Sequence, residues 1–510
     1  MCEVDEENSG CLQSRSLPGV CKTCVKCKEN TAVLIIRVGD AFCRSCFKEY
    51  FVHKFRAMLG KNRVIFPGEK VLLTVSGGAA SSSMLAQVQE GLGRDAPKKL
   101  RFIPAIIYID EGGVCGQDPE EREETVAQLE TIFRKTGFPY HIISLEQVFS
   151  LPSSVLEPVP GGARHPGGDY KAAVDQYIQQ SKLKQKRGEA SVEEAQDSLT
   201  RLNIYSPPSP EHTQTLQRLF STLKTLTAKE DLLQTLRQHL ILHTARTHGY
   251  SKVMMGDSCT RLAIKLLTNI SLGRGASLAA DTGFSDSRYG DVVVVRPMRD
   301  YSSKEITFYN RLFGVESVFT PSLDTKAPDK ASIQRLTESF IIKLQADFPS
   351  TVSTIYRTSE KLHTASSPQN SSAELSAKCL LCLCAADTKA EEASAFQATL
   401  LSERLSVGKA QSDPAHSNPA SSNPASSNPA GSCCQEQGCG AGGCCSTSRI
   451  PAPTDLKTLL CYSCRLTIKD MITVEALPHY ITSEAEKRQR RAQMKEEIGE
   501  FLLDEDEDAE

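Results

Sequence analysis

Apolar residues along this chain fall into short runs, each stopped by glycine or proline and followed by a stretch of helical period. Val71-Leu72-Leu73-Thr74-Val75 is the strongest run, and Ser76-Gly77-Gly78 closes it. An apolar run of this length bounded by glycine suits a strand buried on both faces. The residues after it carry Met84, Leu85 and Val88 on one helical face, with Ser81, Ser82 and Ser83 as candidate N-cap hydroxyls. The pattern then repeats. Strands are expected over 101–110, 139–145, 252–256 and 291–296, and helices over 119–137, 229–248 and 258–272, with a last one capped by Ser302 or Ser303. Strand–helix–strand alternation gives parallel pairing with right-handed crossovers, so the fold class is α/β with a Rossmann-like parallel sheet. From 150 to about 227 the pattern loosens into an expected insertion, partly helical.

Composition narrows the function classes. The 510 residues allow several cores, and the net charge of −3 gives no global attraction to nucleic acid, so RNA contact must come from local basic patches. No apolar run is long enough to span a membrane, and the acidic N-terminus does not read as a signal peptide. Nineteen cysteines in that context point to a reducing, cytoplasmic compartment, where paired cysteines bind metal.

The cysteines are grouped. Cys24-x2-Cys27 and Cys43-x2-Cys46 have zinc-ribbon spacing, with Cys21 as an alternative partner for Cys24. A strand over 31–38 is expected between them, and a helix from Phe47 to Leu59 follows with Lys48, His53, Lys54 and Arg56 on one face. That face suits RNA backbone contact or plain solvation. Cys379-x2-Cys382 and Cys461-x2-Cys464 form a second set around a low-complexity stretch, with Cys384 as an alternative ligand. Closure entropy grows only logarithmically with loop length, so the second site can survive its insertion. Both sets are expected to hold structural zinc. The tail is basic at 487–491 and acidic at 504–510.

The turn after Val75 is the candidate for chemistry. A strand, a glycine turn and a helix N-terminus aim free N–H groups and a helix dipole at one point, which suits an anion. The loop resembles the pyrophosphate loop of ATP-dependent tRNA thiolases of the PP-loop family, SGGKDS, through Ser76, Gly77, Gly78 and Ser81. The family's lysine and aspartate positions hold Ala79 and Ala80. Neither alanine neutralises phosphate nor positions metal, so ATP binding is in doubt. A second family element, G-H-N-x-D-D, is matched by Gly256-Asp257-Ser258-Cys259-Thr260-Arg261, with Thr260 and Arg261 in place of the paired acids. A third matches at Arg296, Pro297, Arg299 and Asp300. Asp110, at the end of its strand, lies at the edge where open α/β sheets bind ligands.

Sulfur relay requires a thiolate nucleophile and a resolving thiol. Between Phe47 and Lys378 the chain has only Cys115 and Cys259, and neither belongs to a C-x2-C pair. No catalytic residue is assigned, although an active sulfurtransferase would have to use one of these two. The resemblance implies a non-catalytic-looking subunit of the eukaryotic wobble-uridine thiolase. It implies a heterodimer with a catalytic thiolase paralogue, tRNA as partner, and sulfur from a thiocarboxylated ubiquitin-related modifier delivered to U34 of tRNAs for Lys, Glu and Gln. A zinc-dependent adaptor without RNA contact is the other reading. The expected organisation is a four-cysteine zinc module with a basic helix over 1–57, a degenerate PP-loop domain over 58–325 and a helical connector over 326–375. A second four-cysteine module over 376–475, interrupted at 386–454, and a charged tail over 476–510 complete it.

Overall fold

The computed structural model describes residues 23–36, 40–93, 99–157, 170–187, 207–359, 378–384 and 456–499. Cys21, the low-complexity stretch with its cysteines and the acidic end of the tail lie outside these residues.

A six-stranded sheet organises the chain. Its strands are β3 (Lys70–Thr74), β4 (Ile103–Asp110), β5 (Tyr140–Ser144), β6 (Lys252–Met255), β7 (Ser285–Asp286) and β8 (Val293–Val295), in the order β5-β4-β3-β6-β8-β7. All pairs are parallel except β7 with β8. β3 sits centrally, with Leu73 opposite Ile106 on one side and Met254 on the other. Its side chains alternate between two cores. Val71, Leu73 and Val75 join Phe47, Phe51, Met84 and Phe133 on one face. Leu72 joins Leu232, Leu236 and Leu240 on the other. That alternation is the period-2 reading of a strand covered on both faces.

Helix ends follow local chemistry. Helix Pro119–Thr136 begins with a capping box between Asp118 and Glu121 and ends at Gly137, whose φ of 72° a side chain would resist. Helix Ser303–Phe313 starts with a Ser302–Glu305 capping box, which decides between the two candidate serines. Ser258 caps helix Cys259–Ser271 by accepting from the Arg261 amide.

The structure departs from expectation in four places. The strand expected at 31–38 is two residues, β1 (Leu34–Ile35), paired antiparallel with β2 (Ala41–Phe42). β8 is shorter than 291–296 and gains β7, an edge strand whose polar sequence carries no strand signal. Helix Ala79–Leu92 is capped by the Gly78 backbone rather than by Ser81, Ser82 or Ser83, which fall inside its first two turns. The expected insertion also contributes to the core. Its helix Pro210–Ser221 buries Leu216, Leu219 and Phe220, because the apolar period returns there.

The two cysteine segments join different cores. The first lies beside helix Arg44–Asn62, whose Phe47, Phe51 and Phe55 pack on the sheet. The second is embedded in the other core, with Leu380, Leu381 and Leu383 buried around it. Helices Ile333–Asp347 and Pro349–Thr358 pack on helix Cys259–Ser271 through Ile341, Val352 and Tyr356. Among the described residues no helix is long and apolar enough to cross a membrane.

Candidate functional site

The loop after β3 opens into a cleft of about 1140 Å³ at the carboxyl edge of the parallel strands. Gly77 has φ +83°, and a Cβ there would stand 3.1 Å from the Val318 carbonyl, so only glycine fits. On the other side of the loop, a Cβ on Gly256 would meet the Ser81 backbone at 2.9 Å. This close approach explains the glycine that follows β6. The loop carbonyls are tied down from outside: Val318 donates to Gly77, Thr320 to Ser76 and Asn310 to Ala79.

The loop hydroxyls turn inward. Ser81 Oγ donates to the Gly78 carbonyl at 3.0 Å and Ser82 Oγ to that of Gly77 at 3.2 Å, while the Ser76 amide donates to Ser81 Oγ at 3.2 Å. The structure thus brings Ser76, Gly77, Gly78 and Ser81 together as a cradle. The exposed side chains of the loop are Ser76 and Ala79, neither of them charged, and the first turn carries no acidic group. The backbone presents an anion site, and nothing on the loop neutralises charge.

Several other groups on the cleft are engaged by neighbours. Asp257 faces Arg296 Nε at 3.4 Å, and Thr260 Oγ1 donates to Gln345 Oε1 at 3.0 Å. Arg261 reaches Glu338 only at 4.0 Å. Arg237 donates to Glu111 at 2.8 Å, a pair separated by so much sequence that no local pattern announces it. Lys265 also faces the cleft, and the sequence pattern does not single it out. Its only signal is a single charge inside the apolar run around Ile264 and Leu266.

Asp110 is not a ligand-facing carboxylate. It is 2% exposed and accepts from Arg122 Nη2 at 2.7 Å and from the Gly112 amide at 2.9 Å. Arg122 Nη1 donates in turn to Glu146 at 2.7 Å. The carboxylate belongs to a buried ion triad, which its position at the sheet edge concealed.

The two isolated thiols are poorly suited to nucleophilic work. Burial, with Glu111 nearby, pushes Cys115 up to about 12. Burial, with Glu305 nearby, pushes Cys259 up to about 11. Little thiolate exists on either near neutral pH.

The metal-type cysteines behave differently. Cys24, Cys27, Cys43 and Cys46 lie with all sulfurs within 4.8 Å of one another, as do Cys379, Cys382, Cys461 and Cys464. Cys27 and Cys43 sulfurs are 3.9 Å apart, and those of Cys382 and Cys461 are 3.5 Å apart. A tetrahedral ion with metal–sulfur bonds of about 2.3 Å needs sulfur–sulfur edges of about 3.8 Å. A cubane cluster binds each sulfur to a different iron and so spreads them further. Both sets fit a single ion. Cys384 stands outside the second set, accepting from Arg288 Nη1 at 2.7 Å.

The basic helix is largely occupied. Lys54 pairs with the buried Glu305 at 2.8 Å, and Lys48 with Glu90 at 3.2 Å. His53 remains exposed. On helix His479–Gly499, Lys487 and Arg488 reach Ser153 and the Leu156 carbonyl, whereas Arg490, Arg491 and Lys495 are on the solvent side.

A family profile described as cytoplasmic tRNA 2-thiolation protein 2 matches residues 332–466. Proteins of that name are similar along the chain. The one from Danio rerio is 64% identical, covering 100% of both chains. The one from Bos taurus is 53% identical, covering 100% of this chain and 99% of the relative. The human one is 52% identical over 95% of this chain and 94% of its own. Among solved structures, the U34-tRNA thiolase NcsA from Methanococcus maripaludis with its [4Fe-4S] cluster aligns at a TM-score of 0.45 and 14% identity, over 69% of this chain and 91% of that one. That likeness is too distant to transfer residues or cofactor. The name shared by the relatives agrees with the cytoplasmic setting expected from the sequence. With such identity along its whole length, the chain belongs to the cytoplasmic tRNA 2-thiolation protein 2 family.

Proposed function

We propose that this chain is the tRNA-binding scaffold subunit of a cytosolic tRNA 2-thiolation complex and does not itself activate the tRNA. Family membership supports the process, because the relatives are named for tRNA 2-thiolation. The role within the process rests on one observation: a PP-loop cradle closed by Gly77 and Gly256 that carries Ala79 at its open rim. ATP activation needs cationic groups and metal on the phosphates. Here the catalytic paralogue, cytoplasmic tRNA 2-thiolation protein 1, supplies them in a heterodimer. Sulfur from the thiocarboxylated ubiquitin-related modifier then reaches wobble U34 of tRNAs for Lys, Glu and Gln at the paralogue, since Cys115 and Cys259 stay protonated near neutral pH. The two cysteine sets hold structural zinc in ribbon-like modules, and Arg490, Arg491 and Lys495 contact tRNA phosphates.

Reconstitution tests this reading. The paralogue with this chain should form 2-thiouridine, and the paralogue alone should not. Arg490→Glu with Arg491→Glu should weaken tRNA binding and flatten its salt dependence by about two phosphate contacts. Thiolation by the chain alone, or tRNA binding untouched by the double variant at low salt, would overturn the respective part.

A further inference from the structure

Behind the cleft lies a smaller chamber whose polar groups do not balance. We propose that it binds a small inorganic oxyanion of the phosphate or sulfate class, held by Lys265, Arg274, Arg296 and Gln238. The chamber has a volume of about 70 Å³ and lies between β6, helices Leu226–Thr247 and Cys259–Ser271, and the turn that carries Cys382. A single water needs about 10–15 Å³ by this measure, so the space takes several waters or one tetrahedral oxyanion.

The wall is rich in charge, and one of its cations has no partner among the described residues. Lys265, Arg274, Arg288 and Arg296 bring four positive charges to the wall. Asp231, Asp281 and Asp286 bring three negative ones, and Cys382 of the second cysteine set and Cys384 also line the wall. Arg274 pairs with Asp231, and Arg288 with Asp281 and Asp286. Arg296 Nη2 lies 3.7 Å from Asp286. Asp257, on the cleft side, stands 3.4 Å from Arg296 Nε without hydrogen-bond geometry and is not part of the chamber wall. Lys265 has no ion pair or hydrogen bond among the described residues.

The hydrogen bonds of the wall are uneven. Gln238 Nε2, Arg274 Nε and Arg296 Nε are buried without a hydrogen-bond partner, and Arg296 is 2% exposed. All three orphans are donors. A buried donor left unmade costs about 1–3 kcal/mol. Water would answer these donors but would bring donors of its own. A ligand with acceptors only satisfies these donors and gives Lys265 a counter-charge. Burial lowers the pKa of Lys265, against the pull of Asp281. A bound anion would hold that amine charged. Gln238, Lys265 and Asn269 line both the chamber and the cleft, which gives the anion a way in.

The site is separate from the loop cradle and does not depend on the tRNA role. The test is calorimetric titration of the full metal-loaded chain with inorganic phosphate, at ionic strength fixed with gluconate. The expected result is saturable one-to-one binding and a thermal midpoint that rises with phosphate. Lys265→Met should weaken binding at least tenfold, yet leave the phosphate-free protein no less stable, because it removes an uncompensated buried amine. Gln238→Leu should weaken binding about threefold and decides the matter if the lysine variant does not fold. AMP is too large for the chamber and should not compete. Absence of saturable binding, binding unchanged in both variants, or displacement by AMP, which would place the anion in the cleft, each overturns the assignment.

Discussion

The loop after β3 and the cysteine clusters make opposite use of similar local geometry. At the clusters both position and ligand chemistry are present, with two sets of four sulfurs each within bonding range of one ion. At the loop the backbone geometry is present without charged side chains. Gly77 and Gly256 still allow the tight backbone approach, while Ala79 and Ala80 occupy the rim and first turn. A backbone cradle can therefore be maintained for packing alone. Val318, Thr320 and Asn310 hold the loop through its carbonyls, and none of those bonds requires a nucleotide.

The largest effect is expected at the second cysteine set. Cys379, Cys461 and Cys464 belong to the larger core, so a metal held there would couple its binding to folding. Cys464→Ser, or chelation of that ion, should remove more than about 5 kcal/mol and unfold the larger core. Cys27→Ser affects a satellite cluster and should give local opening with little change in global stability, read by hydrogen exchange. Equal effects at the two sites would show that the first set also holds the main fold.

Arg122 probes the sheet edge next to the loop, where the sequence pattern predicts a ligand-facing carboxylate. Arg122→Ala leaves Asp110 and Glu146 buried without their cation and should cost about 3–5 kcal/mol in chemical denaturation. A near-neutral result would free Asp110 for ligand chemistry after all.

His239 ties the second cysteine turn to the sheet's cover. Its Nε2 donates to the Leu381 carbonyl at 2.7 Å, so Nδ1 accepts from the Tyr480 hydroxyl at 2.7 Å in the neutral ring. Burial lowers its pKa to about 4. The unfolded ring, near 6.5, then binds more protons than the folded one between pH 6.5 and 4. Stability contributed by the neutral ring is therefore full above about pH 6.5 and falls by up to about 3 kcal/mol as pH drops towards about 4. His239→Gln should lower stability at mildly alkaline pH and flatten this slope, as measured by urea midpoints across that window.

The smallest effect concerns the two isolated thiols. Cys115 and Cys259 in the native protein should resist iodoacetamide at about pH 8, since their thiolates form only near pH 12 and 11. Cys115→Ala and Cys259→Ala should leave thiolation by the reconstituted pair unchanged. Rapid alkylation of either, tracked by mass spectrometry, would return that residue to the set of candidate nucleophiles.

Much of this architecture is legible in the sequence because its signals are local. The glycine-bounded run of β3, the Asp118–Glu121 and Ser302–Glu305 caps and the C-x2-C pairs all act within a few residues. The unread parts are partnerships over long separations. β7 forms only because β8 offers an edge, Asp110 is claimed by an arginine on the next long helix, and Lys54 is claimed by Glu305 across the core. The chamber behind the cleft is of the same kind. Its wall comes from widely separated chain segments, and no stretch of sequence contains its imbalance.

AMP release from ATP, measured with the purified, metal-loaded chain alone and with the proposed catalytic paralogue in the presence of tRNA, bears most closely on the uncharged cradle. A cradle without charge-handling groups predicts no AMP from the chain alone and AMP from the pair that disappears when the paralogue's own loop is disabled. AMP formed by the chain alone, and lost on Gly77→Val, would contradict it.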